Sequence, residues 1–155
     1  MKKVILDRIE IGLNSKYIEQ FKVEFIDSVE GISVPYGNHY QAKIHSNGEV
    51  NVTGGRTGAL YVGFNGELTK IEGAHYTLKG DFVTGHYLLF ATIAPIPFLL
   101  FFSFLYVESP EFESSFNLIV LVLSTLIYLF NVLIVFQRKL TLMKTIIAST
   151  SKYEI

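Results

Sequence analysis

The sequence predicts an α+β membrane protein: a small antiparallel β-meander lobe with one short helix, a two-helix transmembrane hairpin, and a short amphipathic C-terminal helix. Three observations predict it. Residues 87–107 and 116–136 are each 21 residues long without a charged side chain. As helices they would span roughly 31 Å, about the hydrocarbon thickness of a bilayer. Residues 40–82 alternate apolar and polar positions between Gly-containing turn signals, as antiparallel strands do. Only the eight residues ESPEFESS (108–115) separate the two apolar segments, so these read as one hairpin. The 155 residues therefore divide into a lobe (1–85), a membrane hairpin (86–136) and a tail (137–155).

The chain begins MKKVILDRIEIGL. Asp7, Arg8 and Glu10 interrupt it before an apolar core of a signal peptide could form, so cleavage is not expected. Residues 4–13 read as a strand, with Ile9, Ile11 and Leu13 on one face. Asn14 and Ser15 are cap residues for a helix over 16–29, where Tyr17, Ile18, Phe21, Phe25 and Val29 recur at three- and four-residue spacings. A strand reading of Phe21, Val23 and Phe25 leaves Ile18 on the wrong face. The helix is the obvious cover for one face of the sheet.

After Gly31 the pattern turns to strands. Tyr40, Ala42 and Ile44 alternate with polar residues up to Asn47-Gly48, which reads as a type I′ hairpin turn. Val50 and Val52 resume the alternation, GGRTG (54–58) breaks it, and Leu60, Val62 and Phe64 restore it. Asn65-Gly66 reads as a second turn and Glu72-Gly73 as a third, with Tyr76 and Leu78 leading into Gly80-Asp81-Phe82.

Within the first apolar segment, Pro95 and Pro97 each remove a backbone donor and predict a kink. In the second, Asn117, Ser124 and Asn131 are spaced by seven and Arg138 continues the series. Seven residues return to nearly the same side of a helix, so these form a polar stripe. Such stripes face protein more often than lipid, and the proline-freed carbonyls are the expected partners; a homo-oligomer seam or a solute path is the alternative. In the tail, Leu140, Met143, Ile146 and Ile147 share a face beside Arg138, Lys139 and Lys144, which predicts an interfacial amphipathic stretch.

Charge sets the expected threading. Residues 1–86 carry nine Lys/Arg and ten Asp/Glu, the turn at 108–115 has three acids and no base, and the tail has four bases and one acid. Basic residues flanking a span stay cytoplasmic, so Arg138, Lys139 and Lys144 place both termini in the cytoplasm and the acidic turn outside.

Constellations for catalysis or metal binding are weak. There is no cysteine, so disulfides, thiolate metal sites and cysteine nucleophiles are excluded. His39, His45, His75 and His86 lack the spacing of a zinc helix and read as surface or packing residues. No nucleophile–base motif is present, and the glycosylation acceptor Asn51-Val52-Thr53 would sit in the cytoplasm. GGRTG lacks the Lys-Ser/Thr ending of a P-loop; it reads as a flexible strand connection, or as a loop presenting Arg56 to a headgroup phosphate or an acidic partner.

The run YQAKIHSNGEVNV…GGRTGALYVGFNGEL…YTLKGDF, followed by two apolar segments and a short basic tail, resembles a group of small uncharacterised bacterial membrane proteins. It covers about residues 39–136. Arg56, Gly66-Glu67-Leu68 and Thr77-Leu78-Lys79-Gly80 occupy the places of that group's turn arginine and strand ends, with GGRTG where an aromatic-Arg-Asn-Ser run is more usual. The resemblance implies a bacterial inner-membrane protein and no activity. The function expected is a non-enzymatic, membrane-anchored module binding a protein or lipid headgroups. The alternative is a small oligomeric membrane component, a permeation or immunity-type factor, acting through the stripe. Membrane lipids, an unidentified protein or a second copy are the expected partners; no cofactor and no nucleic acid are expected, since the net charge is −1.

Overall fold

The structure is a computed structural model. It describes residues 4–33, 39–54, 61–71, 75–85, 101 and 114–155, with side chains in the long C-terminal helix described from residue 122 onward. The first apolar segment apart from Phe101, with its Pro95 and Pro97, and the acidic turn up to 113 lie outside the described residues. A second membrane-crossing helix is not shown among those described.

Strand β1 (Val4–Asn14) leads through a 3-10 turn at Ser15–Tyr17 into helix α1 (Ile18–Glu30). Asn14 caps that turn, its side-chain oxygen accepting from the Lys16 N–H at 3.0 Å. This satisfies one of the donors a helix start leaves unpaired. Four strands follow: β2 (Gln41–Ile44), β3 (Glu49–Thr53), β4 (Val62–Ile71) and β5 (His75–Thr84). They form a meander, and β1 adds antiparallel to β5, so the sheet order is β1-β5-β4-β3-β2. Because β1 and β2 stand at opposite edges, the intervening chain must cross a face of the sheet, and α1 lies along that route.

The periodicities explain what each face does. On α1, Ile18, Phe21, Phe25 and Val29 are buried, as their three- and four-residue spacing requires. On the same side the sheet contributes Leu13, Ala42, Val50, Val52, Val62, Phe64, Leu68, Leu78 and Phe82 to one core. Burying a side chain of this size contributes about 1.5–3 kcal/mol.

The final element, α2 (Ser114–Ser151), is one helix of 38 residues. The tail expected as a separate interfacial stretch is its C-terminal part, and that part packs into the lobe. Leu142 and Ile146 are fully buried and Tyr153, just past the helix, is nearly so. Met143 packs against the core as well, while Ile147 is exposed.

Two turn assignments differ from the sequence pattern. The β2–β3 connection is a three-residue loop, Ser46–Gly48, rather than a two-residue type I′ turn. The His45 N–H donates to the Glu49 carbonyl at 2.8 Å, the Gly48 N–H donates back to the His45 carbonyl at 3.0 Å, and Gly48 has φ 89°. That is a turn closed by a left-handed glycine, the usual solution for this loop length. Asn65-Gly66 is no turn. It lies in the middle of β4, with Asn65 opposite Asn51 and Asp81, and Gly66 opposite Val50 and Gly80. Glycine is needed there because the Phe64 ring lies over both Gly66 and Gly80: a Cβ on Gly80 would sit 2.3 Å from its Cζ. An aromatic ring covering a glycine pair stabilises a strand that turn propensity alone would break.

Replacing Gly48 by Val should be costly. A β-branched residue resists positive φ, and any Cβ would approach the Leu68 carbonyl oxygen to 2.6 Å. We expect about 2–4 kcal/mol of destabilisation from strain and overpacking together, read as faster proteolysis of the lobe. Unchanged protease resistance would contradict the loop geometry.

Candidate functional site

The features singled out by chemistry meet where α2 joins the lobe. In β1 a bulge between Ile5 and Asp7 inserts one residue and shifts the register. Beyond it Asp7 stands opposite Phe82, on the helix-covered side with Ile9, Ile11 and Leu13. A carboxylate on that side needs a partner, and Lys139 of α2 supplies it: Nζ lies 2.7 Å from the Asp7 Oδ2. The hydrogen bond from Lys139 is the main reason the Asp7 carboxyl is held below its ordinary value. Lys139 is only 15% exposed, so it is part of the junction rather than a free surface cation.

Arg138, one residue earlier, lies close enough to Tyr40 for its charge to act on the phenol. Burial pushes the Tyr40 hydroxyl up to about 12, with Arg138 opposing and Tyr61 adding to the rise. Burial raises Tyr61 too. The Thr84 hydroxyl donates to the Tyr61 carbonyl at 2.5 Å, tying the end of β5 to the start of β4. The junction thus collects Asp7, Tyr40, Tyr61, Thr84, Arg138 and Lys139 at the end of the sheet from which the chain departs after β5.

The opposite end is clamped by the last residues. The Asn14 N–H donates to the Tyr153 carbonyl at 2.9 Å, and Leu13 and Glu154 form an isolated bridge. The Tyr153 ring meets Phe21 edge-on at 6.0 Å. Its hydroxyl and Lys152, whose Nζ lies 3.0 Å from the Glu24 Oε2, together hold the Glu24 carboxyl below its ordinary value. Lys139 beside Asp7 and Tyr153 beside Asn14 thus tie the two ends of β1 to α2 and the residues after it, while the helix itself packs on α1 and β4.

The middle of the sheet face away from the helices is polar, while Val83, opposite Ile5 and Gly63 at one end of it, is buried. One cross-strand row runs Arg8, Asp81, Asn65, Asn51, Lys43, and the next Glu10, Lys79, Glu67, Glu49. Arg8 pairs with Asp81 at 2.6 Å and Lys79 with Glu10 at 3.0 Å. An open concavity of about 480 Å³ lies over these rows. No group of three or more His, Asp or Glu side chains among the described residues could hold a metal ion.

Of the residues singled out by spacing, Arg138 and Lys139 come together at the junction, while Lys144 is exposed one and a half turns on. Ser124 and Asn131 are half-buried on α2; Asn117 belongs to the same helix, its side chain outside the described residues. Arg56 lies outside them too, although the residues flanking its loop, Gly54 and Tyr61, are at the junction end. Spacing did not single out Asp7, Tyr40 or Tyr61. For Asp7 a signal existed: it shares the parity of Ile9, Ile11 and Leu13, so an acid stands on a face otherwise turned inward. No family model matches this chain, and no curated protein or solved structure is significantly similar to it.

Acid should loosen both clamps. Asp7, Glu24 and Asp81 have depressed values in the folded protein, so their stabilisation is complete above the ordinary carboxylate range near 4 and is lost as pH falls through the lowered values. The Tm of the detergent-solubilised protein should hold steady above about pH 5 and fall below about pH 4. The double variant Asp7→Asn, Glu24→Gln should melt lower at pH 7 and converge on the parent in acid. Parallel curves at all pH values would contradict this assignment.

Proposed function

We propose that the chain is a non-enzymatic, membrane-anchored binding module whose lobe lies at the cytoplasmic membrane surface and engages a protein or lipid headgroups there. The observation that carries this reading is the change of environment along one unbroken helix. From Val122 to Phe136, the large apolar side chains Val122, Leu123, Leu126, Ile127, Leu129, Phe130, Leu133 and Phe136 are all exposed. Val135, within that stretch, is already buried against the lobe core, and six residues after Phe136 Leu142 is fully buried. The helix is long and apolar enough to cross a membrane, and an exposed apolar surface of this extent suits lipid. The lobe is thereby fixed to its anchor by a shared core, and the polar sheet face stays available for a ligand.

With no native cysteine, single cysteines report topology without background. In intact cells an impermeant maleimide should label a cysteine at Ser115, and one at Ser151 only after lysis; the reverse pattern would invert the orientation. The binding half is read by photo-crosslinkers placed at Thr69, on the open face, and at Val23, on the exposed side of α1. Adducts from Thr69 alone support a partner on the open face, and adducts from neither would remove it.

A further inference from the structure

Asn131 is a carboxamide in the apolar stretch of α2, half-buried, and it has no side-chain hydrogen-bond partner among the described residues. It lies eight residues before Lys139, about 12 Å along the helix. Its short side chain cannot extend along the helix to a polar surface as a lysine or arginine could. Nor does it bond back to its own helix, as Thr141 and Thr145 do to the carbonyls four residues earlier. An amide that makes no hydrogen bond in hydrocarbon is costly, so a partner from outside the helix is required.

We propose that α2 pairs in the membrane, in parallel, with α2 of a second copy along a seam of Ser124, Ile127, Asn131 and Ile134, in which the two Asn131 carboxamides bond to each other. This rests on the membrane-anchored reading above. Copies inserted with their lobes on one side have parallel helices at equal depth, so Asn131 meets its own counterpart. A carboxamide carries both donors and an acceptor and is complementary to itself. A single polar residue of this kind sets register and pairing in parallel two-stranded coils. The seam follows their alternating three- and four-residue spacing, and its Ile127 is 62% exposed. The seam is also separable from the lobe contact. Tyr128 and Val135 point closer to the core side, where Val135 is buried, while Leu129 lies on the opposite side of the helix.

The test uses full-length protein in native membranes. Oxidation of the single variant Ile127→Cys should give a disulfide-linked dimer, and Leu129→Cys about tenfold less. Adding Asn131→Leu to Ile127→Cys should lower the dimer fraction about threefold, the size set by an average interhelical polar contact. Asn131→Gln should retain most of it. Equal dimer from both cysteine positions, or no effect of Asn131→Leu, overturns the pairing. So does a disulfide from Ile127→Cys to a cysteine scanned through 87–107 of its own chain, with no dimer formed. Release of the protein by alkaline carbonate would instead overturn the anchoring on which the proposal rests, whereas retention without dimer refutes the pairing alone.

Discussion

One helix with two kinds of surface is the constraint on which the rest of the structure depends. A rod of 38 residues is about 57 Å long, longer than a bilayer core, and its inward half packs into the lobe. Its outward half has apolar side chains around most of its circumference; its inward half confines them to a stripe at Leu142 and Ile146, extended by Tyr153 beyond the helix end. The stripe, more than the ion pairs at Asp7 and Glu24, secures the attachment, because partly exposed ion pairs contribute little and apolar burial contributes much. Since no break separates the halves, the lobe cannot turn about the anchor without opening its own core.

Covering by two helices also fixes what the sheet can do. With α1 and the inward half of α2 on one face, the central rows of the other are left to water, as antiparallel sheets allow. Its rows alternate charge and amide: Arg8 beside Asp81, Lys79 beside both Glu10 and Glu67. Opposite-charge neighbours across strands are favourable, but Glu49 and Glu67 stand directly opposite each other and repel. Both line the concavity, where the Asn51 amide donates to Glu49 at 2.9 Å and Lys79 stands opposite Glu67.

Much of this was legible in the chain. Alternation at Ile9, Ile11 and Leu13 and at Val50 and Val52, and the helical spacing of Ile18, Phe21, Phe25 and Val29, report burial directly, because the inward positions have to be apolar. Asn65-Gly66 misleads because a dipeptide's turn propensity is local, whereas its place in β4 is decided by pairing with β3 and β5 and by the ring of Phe64. The position of β1 beside β5 is a contact between residues some seventy apart, and no local pattern encodes it. The tail misleads for a related reason. An amphipathic stripe shows that a helix has an apolar face and leaves open whether lipid or protein covers it; α1 and the sheet decide that. Asp7 and Lys139 could be related only once α2 was known to pack on the helix-covered face of the sheet.

The same side of α2 carries two series at intervals of seven. Tyr128, Val135, Leu142 and Ser149 form one, half-buried at its membrane end and buried from Val135 onward. Ser124, Asn131 and Arg138 form the other, immediately beside it. Seven residues fall about 20° short of two full turns, so the two series drift together and remain neighbours along the rod. The side that meets the lobe in the inward half is therefore neighbour to the polar groups of the outward half. Away from it, Leu129, Leu133 and Phe136 give way to exposed Lys144, Ile147 and Ser151. One flank thus passes from wholly apolar to mixed side chains while the other is half-buried or buried throughout. A helix that only anchored a domain would need no such continuity, since any apolar circumference satisfies lipid. Its presence sets the polar stripe beside the series that binds the lobe, adjacent to it and distinct from it.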